Sequence, residues 1–236
     1  MLWPVPTKPI FSDEHNLYVH RRVLVSVIAV VLLGAGTGAA SAQPNPAPRT
    51  RLGAWVARTV SPGSILGALP DGRLDLLGLR YARRLIPTAR RPPTSFDGPT
   101  LTYTADLIPV ARLHVPAGAM PNLLYLADDG QPTALSTYGL GAYPLGVQVT
   151  FRFREGVRPF VAGHTGGLYF LESVPDPRGQ HFNFAAGIGA GVELALPRGT
   201  SVTLGYRYHH LSNGFRGSIN PGLDANLLYL LVDTAL

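Results

Sequence analysis

The chain has 236 residues, of which 46% are hydrophobic, with 27 Gly, 22 Pro, no Cys and a formal net charge of +6 at pH 7. Without Cys there is neither a disulfide framework nor a thiolate metal site, and the length suits one domain once a leader is removed. A basic balance of this size fits nucleic acid or anionic lipid, but the Arg residues are scattered apart from Arg83-Arg84 and Arg90-Arg91, and the export signal below argues against nucleic acid.

His20-Arg21-Arg22 is a basic flank, Val23 to Leu33 an apolar run, and Ala40-Ser41-Ala42 has the small-x-small spacing that signal peptidase reads. Residues 1–42 are therefore expected to be an N-terminal extension and signal peptide, cut before Gln43. Residues 1–19 exceed what a signal needs, as a start codon placed too early would produce. The apolar run is short for a spanning helix, which argues against a retained anchor. Residues 43–51, with Pro44, Pro46 and Pro48, read as a disordered lead-in.

From residue 52 to 236 the sequence has period two and no sustained helical period. Between His181 and Leu196, Phe182, Phe184, Ala186, Ile188, Ala190, Val192, Leu194 and Leu196 alternate with small or polar residues. Between Leu145 and Arg154, Leu145, Val147, Val149, Phe151 and Phe153 alternate with Gly146, Gln148, Thr150, Arg152 and Arg154. Long strands with Gly, Gln, Thr, Arg and Glu on the second face match lipid outside and a narrow polar lumen inside. The expected strands are 52–60, 74–85, 101–115, 138–153, 157–171, 181–196, 200–211 and 223–235. Their number is even, as closure requires, and the predicted fold is an all-β, eight-stranded antiparallel transmembrane barrel of the outer membrane. Pro109, Pro144 and Pro159 fall inside these windows and lack a ladder donor, so each marks a bulge or a strand end.

Short links at Arg154-Glu155-Gly156 and Pro197-Arg198-Gly199, against longer ones at 61–73, 116–137, 172–180 and 212–222, set the orientation. Short turns are periplasmic and long loops external, so strand seven ends at the cell surface. The link at 86–100 is too long for this scheme.

Strand seven carries Val202, Leu204, Tyr206, Tyr208, His210 and Ser212 on one phase. The apolar part of that phase faces lipid, which puts His210 and Ser212 outside the barrel, just beyond two girdle tyrosines. Their Cα atoms are roughly 6.5–7 Å apart on the shared face, a gap that an imidazole bridges to a hydroxyl. A hairpin then brings Asp224 to the other ring nitrogen, giving a nucleophile, base and orienter.

The run His210-Leu211-Ser212-Asn213, the following Asn220-Pro221-Gly222-Leu223 and an acidic residue fourteen positions after the His resemble the lipid A 3-O-deacylase family (PagL-type, often labelled acyloxyacyl hydrolase). A looser strand-by-strand similarity covers most of the mature chain. The resemblance implies an eight-stranded outer-membrane barrel that cleaves the ester-linked acyl chain at the 3-position of lipid A. It implies Ser212, His210 and Asp224 as catalytic residues, with Asp224 one methylene shorter than the family's Glu. Asn213 matches the family's Asn, and with the backbone N–H groups of Asn213, Gly214 and Phe215 it would stabilise the oxyanion. Gly214 and Phe215 themselves depart from the family pattern. The partner implied is lipid A or lipopolysaccharide in the outer membrane, without nucleic acid or cofactor, and a homodimer is left open.

Other motifs carry less. His209 and His210 point to opposite faces and cannot chelate one metal together. Gly187-x-Gly189-x-Gly191 lacks the strand-turn-helix context of a dinucleotide site and fits close lumen packing. Ser212 is not in a Gly-x-Ser-x-Gly elbow. Asp128-Asp129-Gly130 reads as a turn. Two competing readings are a non-catalytic structural or lipid-binding barrel, and a soluble lipocalin-like barrel with apolar residues inward. The chain closes on Asp233-Thr234-Ala235-Leu236, without the final aromatic usual in outer-membrane strands.

Overall fold

The computed structural model describes residues 50–236 except 64, 68, 70, 86–98, 118–133 and 152. The expected signal peptide, nearly all of the lead-in, most of the 86–100 link and the Asp128-Asp129-Gly130 turn lie outside the described residues. Eight strands follow in order: β1 (Thr50–Gly63), β2 (Arg73–Arg84), β3 (Thr100–Val115), β4 (Leu135–Thr150), β5 (Val157–Val174), β6 (Gln180–Ala195), β7 (Thr200–Ser212) and β8 (Leu223–Ala235). Each pairs antiparallel with the next and β8 returns to β1, closing the barrel. Closure satisfies every ladder and leaves no edge, which is what a spanning sheet needs.

The prolines sit where the ladder tolerates them. Pro109 falls in the β3 irregularity between Ile108 and Ala111, and Pro144 in the β4 irregularity between Ala142 and Leu145. Pro159 is the third residue of β5, beyond the last β4 pair, Thr150↔Phe160. Strand β4 begins and ends earlier than the expected 138–153, because Thr150 is already opposite Thr100, where β3 starts. Strand β5 runs on to Val174, so its link to β6 spans only Pro175–Gly179. The β1–β2, β3–β4, β5–β6 and β7–β8 links gather at one end of the barrel, and the others at the opposite end.

Alternation decides the two faces. On β6, Phe184, Ala186, Ile188, Ala190, Val192 and Leu194 are exposed, whereas Asn183, Ala185 and Glu193 are buried. With Leu140, Leu145, Leu171 and Leu204 also exposed, the exterior is an apolar skin that fits hydrocarbon rather than water. The narrow lumen expected from the second phase is polar only in part. Trp55, Leu74, Ile108, Leu113, Phe160, Leu168, Phe170 and Leu227 fill it, since eight strands leave room only for side chains. Large rings occupy the space left by glycines: an added Cβ at Gly78 would collide with the Trp55 ring, and one at Gly187 with that of His164.

A polar layer crosses this packed interior. Arg80 donates through Nε and Nη2 to the two oxygens of Asp106 at 2.7 and 2.8 Å, and both residues are buried. Arg207 lies 5.2 Å from the Trp55 ring centre and 4.9 Å from that of Tyr229. Removing one member of a buried pair strands the other charge. Asp106→Ala is therefore expected to lower stability by about 3–5 kcal/mol, read as a drop in the urea midpoint of the detergent-folded barrel. An unchanged midpoint would mean that water reaches the Arg80 guanidinium inside the lumen.

Candidate active site

At the end of the barrel where the β7–β8 loop turns, the outward phase of β7 finishes with His210 and Ser212, both half-buried, while Arg207, His209 and Leu211 point inward. His210 is paired across the ladder with Asp224, the second residue of β8. Directly opposed side chains on one face have Cβ atoms about 4.5–5.5 Å apart. That is why the short Asp reaches the ring: its Oδ1 lies 2.6 Å from His210 Nδ1. The carboxylate is 0% exposed and the imidazole side chain 21%.

Burying a carboxylate is costly unless it is hydrogen-bonded. Here the β1–β2 link supplies the partners by folding over the outside of β8. Ile65, Leu66 and Gly67 donate their backbone N–H groups to Asp224 Oδ2 at 2.7, 2.8 and 2.9 Å. Leu69 continues the wrap, bridging to Leu223 and donating its N–H to Gly222 O at 3.2 Å. The carboxylate is thus held by three amides on one oxygen and the imidazole on the other, a rigid orienter for the ring.

Ser212 is held differently. Its hydroxyl donates to Asn220 Oδ1 at 3.1 Å and accepts the Gly214 N–H at 3.2 Å. The structure brings His210 to Asp224 and puts Ser212 on the same face, while the recorded partner of the hydroxyl is Asn220 rather than His210. Catalytic hydrogen bonds often tighten only with substrate present. With Nδ1 occupied by Asp224, Nε2 is the nitrogen left to receive a proton. Gly222, at φ 66°, gives the ring room, since a Cβ there would come within 2.9 Å of His210 Cε1.

Asn213 is 2% exposed and braces the loop: its N–H donates to Asn220 Oδ1 at 3.0 Å and its Nδ2 to Ile219 O at 2.7 Å. Of the donors expected for an oxyanion, the Gly214 N–H is the one aimed at the Ser212 oxygen. His209 turns into the lumen, with its Nδ1 3.3 Å from His164 Nε2 and its Nε2 3.2 Å from Tyr143 Oη. Among the described residues, no group of three or more His, Cys, Asp or Glu is arranged to hold a metal. Sequence reasoning assigned no role to Asn220, although it lies in the quoted motif, or to Ile65-Leu66-Gly67, whose contribution is backbone alone and leaves no side-chain signal.

Residues 120–233, which include His210, Ser212, Asn213, Gly214 and Asp224, match the family described as lipid A 3-O-deacylase (PagL). Among solved structures, the chain is similar to the crystal structure of the outer membrane enzyme PagL, with 20% identity over 77% of this chain and 97% of that one and a TM-score of 0.46. It is also similar to Neisserial surface protein A (NspA), with 16% identity over 79% of this chain and 97% of that one and a TM-score of 0.45. No curated protein matches it.

Proposed function

We propose, from the chain's kinship with the lipid A 3-O-deacylase family, that it is an outer-membrane esterase which releases the 3-O-linked acyl chain of lipid A. The observation that carries the reading is the 2.6 Å contact between His210 Nδ1 and the buried Asp224, on the lipid-facing side of the barrel and two residues from a hydroxyl. Catalytic groups on the outside serve no pore, and they are where a membrane lipid is met.

In this mechanism Ser212 turns from Asn220 toward His210 Nε2, loses its proton to the ring and attacks the ester carbonyl. Asp224 holds the Nδ1–H tautomer and stabilises the imidazolium that forms. The Gly214 N–H, now donated to Ser212 Oγ, is released when the hydroxyl turns and is the nearby donor for the carbonyl oxygen that becomes the oxyanion. Collapse breaks the ester C–O bond, and the sugar oxygen leaves with the proton from Nε2. Water then repeats the sequence against the acyl-serine, giving a free fatty acid and restoring Ser212. In this reading the end of the barrel that carries the β7–β8 loop lies in the outer leaflet, where lipid A resides; the ten-residue β7–β8 link, against a four-residue β6–β7 link at the other end, supports that orientation.

Purified protein incubated with lipid A in detergent is expected to release free 3-hydroxy fatty acid, with a matching mass loss from the glycolipid. Absence of release would favour a non-catalytic barrel, the second reading, which the engagement of the Ser212 hydroxyl by Asn220 supports.

A further inference from the structure

The β7–β8 loop also fixes a cation beside Ser212. Arg216 donates from Nε to Asn213 O at 3.2 Å and from Nη2 to Phe182 O at 3.3 Å. Its guanidinium carbon lies 5.1 Å from the Phe182 ring centre and 5.0 Å from that of Phe184, two rings packed edge to face 5.2 Å apart. Gln180 Nε2 donates to the Arg216 carbonyl at 3.1 Å, tying the backbone as well. Phe184 is the register partner of Ser212, so the guanidinium stands one side chain away from the nucleophile.

A guanidinium has five N–H groups. Two are used here, and among the described residues no carboxylate pairs with Arg216, whereas the nearby Arg178 is bonded to Asp176 at 2.8 Å. The residue is exposed. Two carbonyls and two aromatic faces therefore immobilise a charge that nothing neutralises, and immobilisation before binding removes the entropy cost of ordering it on a ligand. The fork of an Arg matches the oxygens of a phosphate.

We propose that Arg216 is a phosphate-docking residue: it binds a phosphomonoester on the sugar that carries the scissile ester, and so selects phosphorylated glycolipids and sets the ester against Ser212. The assignment rests on the esterase reading above. It makes Arg216 a specificity residue, dispensable for the chemistry on an unphosphorylated lipid.

The test compares wild type, Arg216→Gln and Arg216→Lys on lipid A and on lipid A stripped of phosphate by a phosphatase. Arg216→Gln should raise KM for the phosphorylated lipid about 10- to 100-fold, the range of a hydrogen bond to a charged group, with kcat close to wild type. On the stripped lipid the two proteins should behave alike. Arg216→Lys should recover part of the loss, since it keeps the charge without the fork. Equal losses on both lipids would mean that Arg216 merely holds the loop through Asn213, and would overturn the proposal. Inorganic phosphate should not inhibit cleavage of the stripped lipid; inhibition that vanishes in Arg216→Gln would assign the site to free phosphate. Binding of the two lipids to Ser212→Ala, with and without Arg216→Gln, reads docking without turnover. Should wild type cleave neither lipid, the esterase reading falls and this binding difference still decides the role of Arg216.

Discussion

Ser212→Ala is expected to lower fatty-acid release from lipid A by about a thousandfold or more, the scale on which removal of a nucleophile acts in serine hydrolases. The barrel should fold as before. Ser212 ends β7 half-buried on the outward face, and among the described residues its hydroxyl bonds to Asn220 and Gly214, so truncation empties no part of the packed interior. His210→Ala should fall to the same level, and the double variant no lower, because residues that act as one unit do not add. The measurement is release of 3-hydroxy fatty acid by mass spectrometry at equal amounts of folded protein, with folding read from the heat-dependent gel shift of a barrel. Residual activity above about a tenth of wild type in Ser212→Ala would remove Ser212 as the nucleophile, since no other catalytic term survives such a loss at that level.

The parts of this molecule that were legible in the sequence are those written in side-chain alternation. Period two fixes which face of β6 and β7 is apolar, so the eight strands, the outward position of His210 and Ser212 and the inward position of His209 follow from counting residues. Cross-strand register was legible at the β7–β8 hairpin, where His210 and Asp224 are direct partners. Lumen content was not. Period two separates two faces without saying what fills the enclosed one, and the inward residues of β1, β2, β3 and β8 add Trp55, Leu74, Leu113 and Leu227 to the polar residues expected there. The hold on Asp224 was equally silent, because its donors are the backbone amides of Ile65, Leu66 and Gly67, from a link far away in the chain. Arg216 read as one scattered Arg among many until the loop closed on Phe182 and Phe184.

Those three amides give Asp224→Asn a defined outcome. Each points at Oδ2 and requires an acceptor there, so an Asn at this position must turn its carbonyl oxygen toward Ile65, Leu66 and Gly67. Its NH2 group then faces His210 Nδ1, which must accept. The proton moves to Nε2, the nitrogen that has to be empty for Ser212, and the imidazolium also loses its counter-charge. Turnover is expected to fall by roughly 10³- to 10⁴-fold, as for the equivalent change in a Ser-His-Asp triad. The fold should survive, because the acceptor for the three amides remains. Asp224→Glu would restore the residue of the family pattern, but it meets a tight environment here. The carboxylate is fully covered, and the Gly67 backbone approaches so closely that a Cβ on it would lie 3.0 Å from Asp224 Oδ1. The added methylene must displace the Ile65–Gly67 wrap, so Glu should retain more activity than Asn and fall short of wild type. If Asp224→Asn turns over lipid A as fast as wild type while remaining folded, then Asp224 only anchors the β1–β2 link. In that case Asn226, on the same outward phase and bonded to Tyr206 Oη at 2.5 Å, becomes the next residue to replace.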